Sequence, residues 1–132
     1  MTVVQAHGCY AWLHMGHVLH LQAARKLGDR LVVTITGDAH LPPKRTRVHD
    51  EKERAHMLRA LRCVDEVRII EHPDAELAIG LVRPNIYVKG VEYMGRLKEE
   101  AFCERHGIKV VFLDSAWSSS NPKYHTSALL AR

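Results

Sequence analysis

The chain has 132 residues, 46% of them hydrophobic and 26% charged, with a formal charge of +4 when its histidines are neutral. This length predicts one domain spanning residues 1–132, and this balance excludes an intrinsically disordered polymer. No apolar run approaches the roughly 20 residues that cross a bilayer, and no basic-then-apolar opening resembles a signal peptide, so the default expectation is a cytoplasmic protein with no membrane partner.

The first apolar run, Thr2–Ala6, reads as a strand and is followed by His7-Gly8-Cys9-Tyr10-Ala11-Trp12-Leu13-His14-Met15-Gly16-His17. A helix is predicted over Met15–Leu27, with Gly28 as its C-terminal cap. Strand, glycine loop and helix in that order gather backbone N–H groups and a helix N-terminus at one point, which suits an anion such as phosphate. His14 and His17 are three residues apart and share one face of the first turn, while Gly16 between them lets a ligand approach the backbone. The next strand is Arg30–Thr36, whose continuous Leu31-Val32-Val33-Thr34-Ile35 suits a parallel strand covered on both faces. Lys44, Arg45 and Arg47 cluster beyond it, a local basic group better matched to a phosphate than to a nucleic-acid surface. Asp50 and Glu53 form a capping box for a helix over Glu51–Arg62, which places Ala55, Leu58 and Leu61 inward. Then come strand Glu66–Glu71, helix Asp74–Val82, strand Asn85–Lys89, helix Gly95–His106 capped by Gly107, strand Ile108–Leu113 and helix Thr126–Ala131. Cys9, Cys63 and Cys103 are odd in number and form no CxxC pair, so neither a disulfide framework nor a structural zinc site is indicated.

Alternating strands and helices predict an α/β fold with a Rossmann-like, doubly wound, five-stranded parallel sheet in the order 3-2-1-4-5 and helices on both faces. Ligands then bind beyond the carboxyl ends of the strands, where the order reverses between the first and fourth. The residues following the strands agree with this. They include His7 to His17, then Gly37, Asp38 and Lys44, then Lys89, Gly90, Glu92 and Tyr93, and finally Asp114 with a serine-rich stretch.

His14-Met15-Gly16-His17 is an HxGH sequence, and Gly8 through His17 resembles the GxFDxxHxGH signature of the cytidylyltransferase-like nucleotidyltransferases. Lys44-Arg45-Thr46-Arg47 is similar to that family's basic loop. Glu53-Arg54-Ala55, Leu61 and Val64-Asp65-Glu66-Val67 resemble its ERxxxLxxLxxVDEV segment. Arg83-Pro84-Asn85-Ile86-Tyr87-Val88-Lys89-Gly90-Val91-Glu92-Tyr93 resembles the RPDxxVKGxDY stretch of the branch that adenylylates heptose 1-phosphate, and of relatives acting on glycerol 3-phosphate.

The resemblance implies that a sugar or polyol phosphate attacks the α-phosphorus of a nucleoside triphosphate and expels pyrophosphate, with ATP preferred and a glycerol-3-phosphate-type cytidylyltransferase as the alternative. It implies catalytic roles for His14, His17 and Lys44. It assigns nucleotide contacts to Gly8, Cys9, Tyr10, Gly16, Arg54, Lys89, Gly90, Glu92, Tyr93, His125, Thr126 and Ser127, and substrate phosphate to Arg47. Imidazolium groups at His14 and His17 would neutralise phosphoryl charge, although the helix N-terminus favours the neutral rings in the free protein. Mg²⁺ would arrive with the triphosphate, no resident metal is implied, and a homodimer without nucleic acid is the expected assembly. Arg54 has a second reading as a structural ion pair, Lys89 with Glu92 as a local pair, and Trp12 as a core or interface residue.

Two positions depart from the pattern. The signature Asp is Ala11, so either its role is taken elsewhere or activity is altered, leaving a non-catalytic nucleotide-binding protein as a further reading. The ISTT-like turn that opens the last helix is matched only by Tyr124-His125-Thr126-Ser127, after Ser118-Ser119-Ser120-Asn121-Pro122-Lys123. His14, His17 and His20 also recur at threes, but with no acidic or thiolate partner evident they do not make a metal site.

Overall fold

Strands β1 (Val3–Gly8), β2 (Arg30–Thr36), β3 (Glu66–Ile70), β4 (Ile86–Gly90) and β5 (Lys109–Leu113) form one sheet in the order β3-β2-β1-β4-β5, as expected. This is a computed structural model, and it describes residues 1–41 and 49–114. Every neighbouring pair is parallel. The connections carry helices α1 (Met15–Arg25), α2 (Glu51–Arg59), α3 (Ala75–Val82) and α4 (Glu100–Arg105), with 3-10 turns at Asp38–His40 and Val91–Tyr93. The predicted helix 126–131 lies outside the described residues.

Alternation along the strands sorts their side chains onto two faces. Val4, Ala6, Leu31, Val33, Ile35 and Val88 point to the side of α1 and α2, where they meet Leu21, Ala24, Ala55 and Leu58, all essentially inaccessible to solvent. Tyr87 points to the other side and joins Ile79, Cys103 and Ile108 under α3 and α4. Leu61 packs against the first core, as expected, from just beyond the end of α2.

Several boundaries move for identifiable reasons. β1 continues past Ala6 because His7 and Gly8 still pair with Thr34 and Ile35 of β2. α4 begins at Glu100 rather than Gly95, because Gly95 has φ 78°, a left-handed conformation that interrupts the helix. Gly107, at φ 68°, ends α4 as a helix-terminating glycine does. Gly28 does not act as a left-handed cap. A Cβ there would lie 2.7 Å from the Thr2 carbonyl oxygen, so glycine is needed for close approach to the start of β1. The Asp50 capping box forms as expected: Glu53 N–H donates to Asp50 Oδ1 (2.8 Å) and Asp50 N–H donates to Glu53 Oε1 (3.1 Å).

Candidate active site

β1 ends at Gly8, and residues 9–14 turn the chain into α1. Tyr10 makes this turn possible by adopting φ 50°, an uncommon conformation for a residue with a side chain. Its ring is buried and lies where a Gly8 Cβ would come within 3.1 Å, so Gly8 and Tyr10 require one another. The Tyr10 ring also meets His17 edge-on at 5.1 Å. Burial pushes the Tyr10 hydroxyl above its ordinary range, which keeps it neutral.

His14 is the N-cap of α1. Gly16 N–H donates to His14 Nδ1 (3.0 Å), and His14 N–H donates to His17 Nδ1 (3.2 Å). This is a capping box built from two imidazoles, and it stacks the rings at 3.9 Å with 23° between their planes. An Nδ1 that accepts a hydrogen bond carries no proton, so in this arrangement each ring is neutral with its proton on Nε2. The same bonds occupy the Gly16 amide, so its N–H is satisfied by His14 rather than presented to an anion.

Arg54 holds the turn from beneath. Its side chain is buried, with Nη1 donating to the Cys9 carbonyl oxygen (2.6 Å) and Nη2 donating to Asp38 Oδ1 (2.9 Å). Asp38 and Glu51 exchange bonds as well: Glu51 N–H donates to Asp38 Oδ2 (3.1 Å) and Asp38 N–H donates to Glu51 Oε1 (2.9 Å). These contacts join the end of β2, the start of α2 and the β1–α1 turn. Of the two readings of Arg54, the structure shows the ion pair, with the guanidinium enclosed by protein. Cys9 contributes its carbonyl to that bond. Lys44, Arg45 and Arg47 lie outside the described residues, as do His125, Thr126 and Ser127.

Lys89 enters from the other side of the reversal point. Its ammonium donates to the His7 carbonyl oxygen (3.0 Å) where β1 and β4 diverge, and it lies 5.0 Å from the Tyr93 ring centre. Arg96 flanks the same ring at 5.3 Å and donates through Nε to the Glu92 carbonyl oxygen (2.7 Å). Glu92 folds its carboxylate over Gly90, occupying the space a Gly90 side chain would need. Burial holds the Lys89 ammonium below its ordinary range, against the opposing pull of Glu99 and Glu92. His14, His17, Gly8, Tyr10, Lys89, Gly90, Glu92 and Tyr93 thus all stand at the carboxyl ends of β1 and β4.

A buried polar row behind Lys89 is absent from the sequence reading. Gln5 Nε2 donates to Thr34 Oγ1 (3.0 Å) and to the Ala78 carbonyl oxygen (3.1 Å), while His7 Nδ1 is 2.9 Å from Thr34 Oγ1. Nearby, Tyr87 donates its hydroxyl to Glu99 (2.7 Å). Burial, then the Lys89 charge, push His7 from 6.5 down to about 4. The available signal was alternation: Gln5 and His7 are polar residues on one face of an otherwise apolar strand. Trp12 is half-buried, with its ring 6.4 Å from that of His49, and its indole N–H has no partner among the described residues. Ala11 is buried, so an enclosed methyl stands where the signature carries a carboxylate.

These features define an α/β domain with polar residues gathered where the strand order reverses, among them paired imidazoles at a helix start and a lysine at a strand end. The chain belongs to the Cytidylyltransferase-like family, whose sequence profile matches residues 6–124. It is 40% identical over 135 residues to the bifunctional protein HldE of Streptomyces coelicolor, covering 99% of this chain and 28% of that protein. The bifunctional protein HldE of Syntrophotalea carbinolica is 44% identical over 96 residues, 70% of this chain and 19% of that one. The chain therefore spans well under a third of the length of these curated relatives. Among solved structures, the lipopolysaccharide core biosynthesis protein of Thermoplasma volcanium superposes with a TM-score of 0.74 at 27% identity, covering 86% of this chain and 97% of that one. Pantothenate synthetase of Thermus thermophilus shares the fold at 13% identity and a TM-score of 0.62, covering 86% of this chain and 56% of that one.

Proposed function

We propose that the protein transfers a nucleoside monophosphate from a nucleoside triphosphate, preferentially ATP, to a sugar or polyol phosphate, releasing pyrophosphate. The observation that carries this reading is the stacked His14–His17 pair, fixed by its own capping bonds at the start of α1. The nucleophile is a phosphate oxygen of the acceptor. The protein's task is then to position two phosphates and stabilise the charge that develops between them, with no covalent protein intermediate. His14 and His17 supply Nε2–H donors to phosphoryl oxygens, and Lys44 supplies a charge-assisted bond. Gly8, Cys9 and Tyr10 shape the turn under the phosphates, and Arg54 keeps it in place. Lys89, Gly90, Glu92 and Tyr93 bind the nucleoside end; His125, Thr126 and Ser127 complete the triphosphate site; and Arg47 meets the acceptor phosphate.

Magnesium enters this reading with the triphosphate, held by phosphate oxygens and water, as suits an ion that dehydrates reluctantly. Among the described residues no three His, Cys, Asp or Glu side chains are grouped to hold a metal ion. The preference for ATP and a sugar phosphate follows from the RPxxxVKGxxY stretch at residues 83–93 and from similarity to the HldE proteins. We take the working unit to be a cytoplasmic homodimer, from the family resemblance. Among the described residues no helix is long and apolar enough to cross a membrane.

The test is a pyrophosphate-release screen crossing the four ribonucleoside triphosphates with sugar 1-phosphates and polyol phosphates in the presence of Mg²⁺. Release that requires both substrates supports the reading. Nucleotide binding without release from any combination would favour the non-catalytic alternative raised by Ala11, and Ala11→Asp would then be tested for recovered activity.

A further inference from the structure

Glu76 is the only polar residue of α3, whose sequence is Ala-Glu-Leu-Ala-Ile-Gly-Leu-Val. A helix that is apolar all round is normally covered all round. Ala78 and Ile79 are fully buried beneath α3, but Leu77 and Leu81 are 44% and 58% exposed, the largest values for any leucine among the described residues. Their i, i+4 spacing makes them one ridge. Gly80 lies beside them and opens toward Phe102 of α4: a Cβ at Gly80 would lie 4.0 Å from Phe102 Cζ, an ordinary contact. Leu77, Gly80, Leu81 and Phe102 thus line an open groove on the side of the sheet away from α1, and none of them belongs to the site described above.

The two ends of the groove carry opposite charge. Asp74, the N-cap of α3, and Glu76 stand at one end, where the Asp74 carboxylate accepts from Glu76 N–H (3.0 Å). Arg83, the C-cap, stands at the other, and Arg68 reaches the same end by donating to the Leu81 carbonyl oxygen (3.4 Å). Among the described residues no ion pair engages Asp74, Glu76 or Arg83. Asp74 and Arg83 are about 13 Å apart along the helix. A partner of one charge sign is attracted at one end and repelled at the other. A second copy of the chain, turned end for end, matches both. A two-fold axis beside Ile79 and Gly80 lays Leu77 against the partner's Leu81 and sets Asp74 beside the partner's Arg83, each contact being made twice. Gly80, with no side chain at the centre, lets the two helices come close.

We propose that the outer face of α3 is a self-association surface, on which a second copy of this chain packs its own α3 antiparallel across a two-fold axis. This rests on the homodimer reading of the working unit and gives that dimer its surface. The Leu77–Leu81 contacts form the apolar centre, and the Asp74–Arg83 pairs at the rim set the register.

Sedimentation velocity of the full chain over a concentration series reads the association. Wild type is expected to dimerise. Leu81→Glu should weaken the dimer about 30-fold or more, because it sets a carboxylate from each copy in the apolar centre. Asp74→Arg and Arg83→Asp each replace both end contacts with like-charge pairs and should weaken it as well. Mixed in equal amounts, these two variants should associate more tightly than either alone, since every end contact in the mixed pair joins opposite charges. Leu81→Glu changes an exposed side chain, so it decides the question even if the lost cap unfolds Asp74→Arg. A wild-type dimer that Leu81→Glu leaves intact overturns the proposal and moves the homodimer to another surface. A mixture no tighter than its components overturns the antiparallel arrangement. Wild type that stays monomeric overturns both the proposal and the homodimer reading. A monomer whose melting temperature falls in Leu81→Glu has this face covered by its own chain, which also overturns the proposal.

Discussion

His14 and His17 cap one another: the backbone N–H of His14 is held by the ring of His17, and the ring of His14 holds the N–H of Gly16. The spacing is that of a Ser-x-x-Glu box with imidazoles in both places. Each Nδ1 is used by the backbone, which orients each Nε2–H. Protonating either Nδ1 would cost that capping bond and set a positive charge at a helix N-terminus. The bonds that begin α1 thus also set the tautomer of the two rings proposed to act on phosphate.

His14→Asn and His17→Asn are each expected to reduce nucleotidyl transfer by roughly 10²-fold or more, with a much smaller change in nucleotide affinity, because preorganised donors matter most where charge builds in the transition state. Asn is a good N-cap, so His14→Asn should lose little stability. Steady-state kinetics and nucleotide titration of each folded variant check this, and full turnover by His17→Asn would remove it from catalysis.

Lys44→Ala is expected to weaken triphosphate binding or slow turnover by the equivalent of roughly 1.5–3 kcal/mol, the loss of one charge-assisted phosphate contact. The thermal transition of the protein without nucleotide should not move. Initial rates across an ATP titration provide the readout, and unchanged kinetics would place Lys44 outside the site.

Arg54→Met should be destabilising, by roughly 1–3 kcal/mol, because it leaves the Cys9 carbonyl oxygen without its donor and takes the guanidinium from Asp38 Oδ1. Arg54→Lys should recover little, since a single ammonium cannot span both acceptors as the planar guanidinium does. Urea denaturation of the two variants tests this. A midpoint for Arg54→Met equal to wild type would show that the β1–α1 turn does not depend on this residue.

His7 and His20 are each held down from 6.5 to about 4. The folded protein resists protons that the unfolded chain accepts. The stability they contribute is therefore complete above about pH 6.5 and is lost as the pH falls toward 4, by up to about 1.4 kcal/mol per pH unit for each proton taken up on unfolding. Melting temperature should fall over this window, and His7→Gln should flatten the fall. An identical profile for that variant would show that His7 is not a source of the dependence.

Nucleotides should distinguish the bases without catalysis. ATP is expected to raise the melting temperature more than CTP at equal concentration, because a ligand that binds only the folded state stabilises it by RT ln(1 + L/Kd), L being its free concentration, more for the tighter binder. A larger shift with CTP would move the assignment to cytidylyl transfer.

The alternation of apolar and amphipathic runs carries enough local information to order the chain into β-α units, and a parallel sheet with its functional loops at one end follows from chain handedness and twist. The HxGH spacing likewise places His14 and His17 on one helical face, because three residues make nearly one turn. Periodicity is local, however, and the contacts that complete the site are not. Lys89 meets the carbonyl of a residue 82 positions earlier, and Arg54 meets one 45 positions earlier. Both depend on which strands lie side by side and in what register. Gly28 shows the same division: its position after a helix suggested a cap, whereas its actual constraint is a strand start that only the folded chain brings within reach. His20 is held below the range of a surface histidine first by burial and then by Lys89, which arrives on the strand laid beside β1. The sequence by itself determined the elements and the pair of rings. The tertiary structure decided which polar groups become buried together, because burial, and with it tautomer and protonation, is a property of the packed sheet and not of any short stretch of chain.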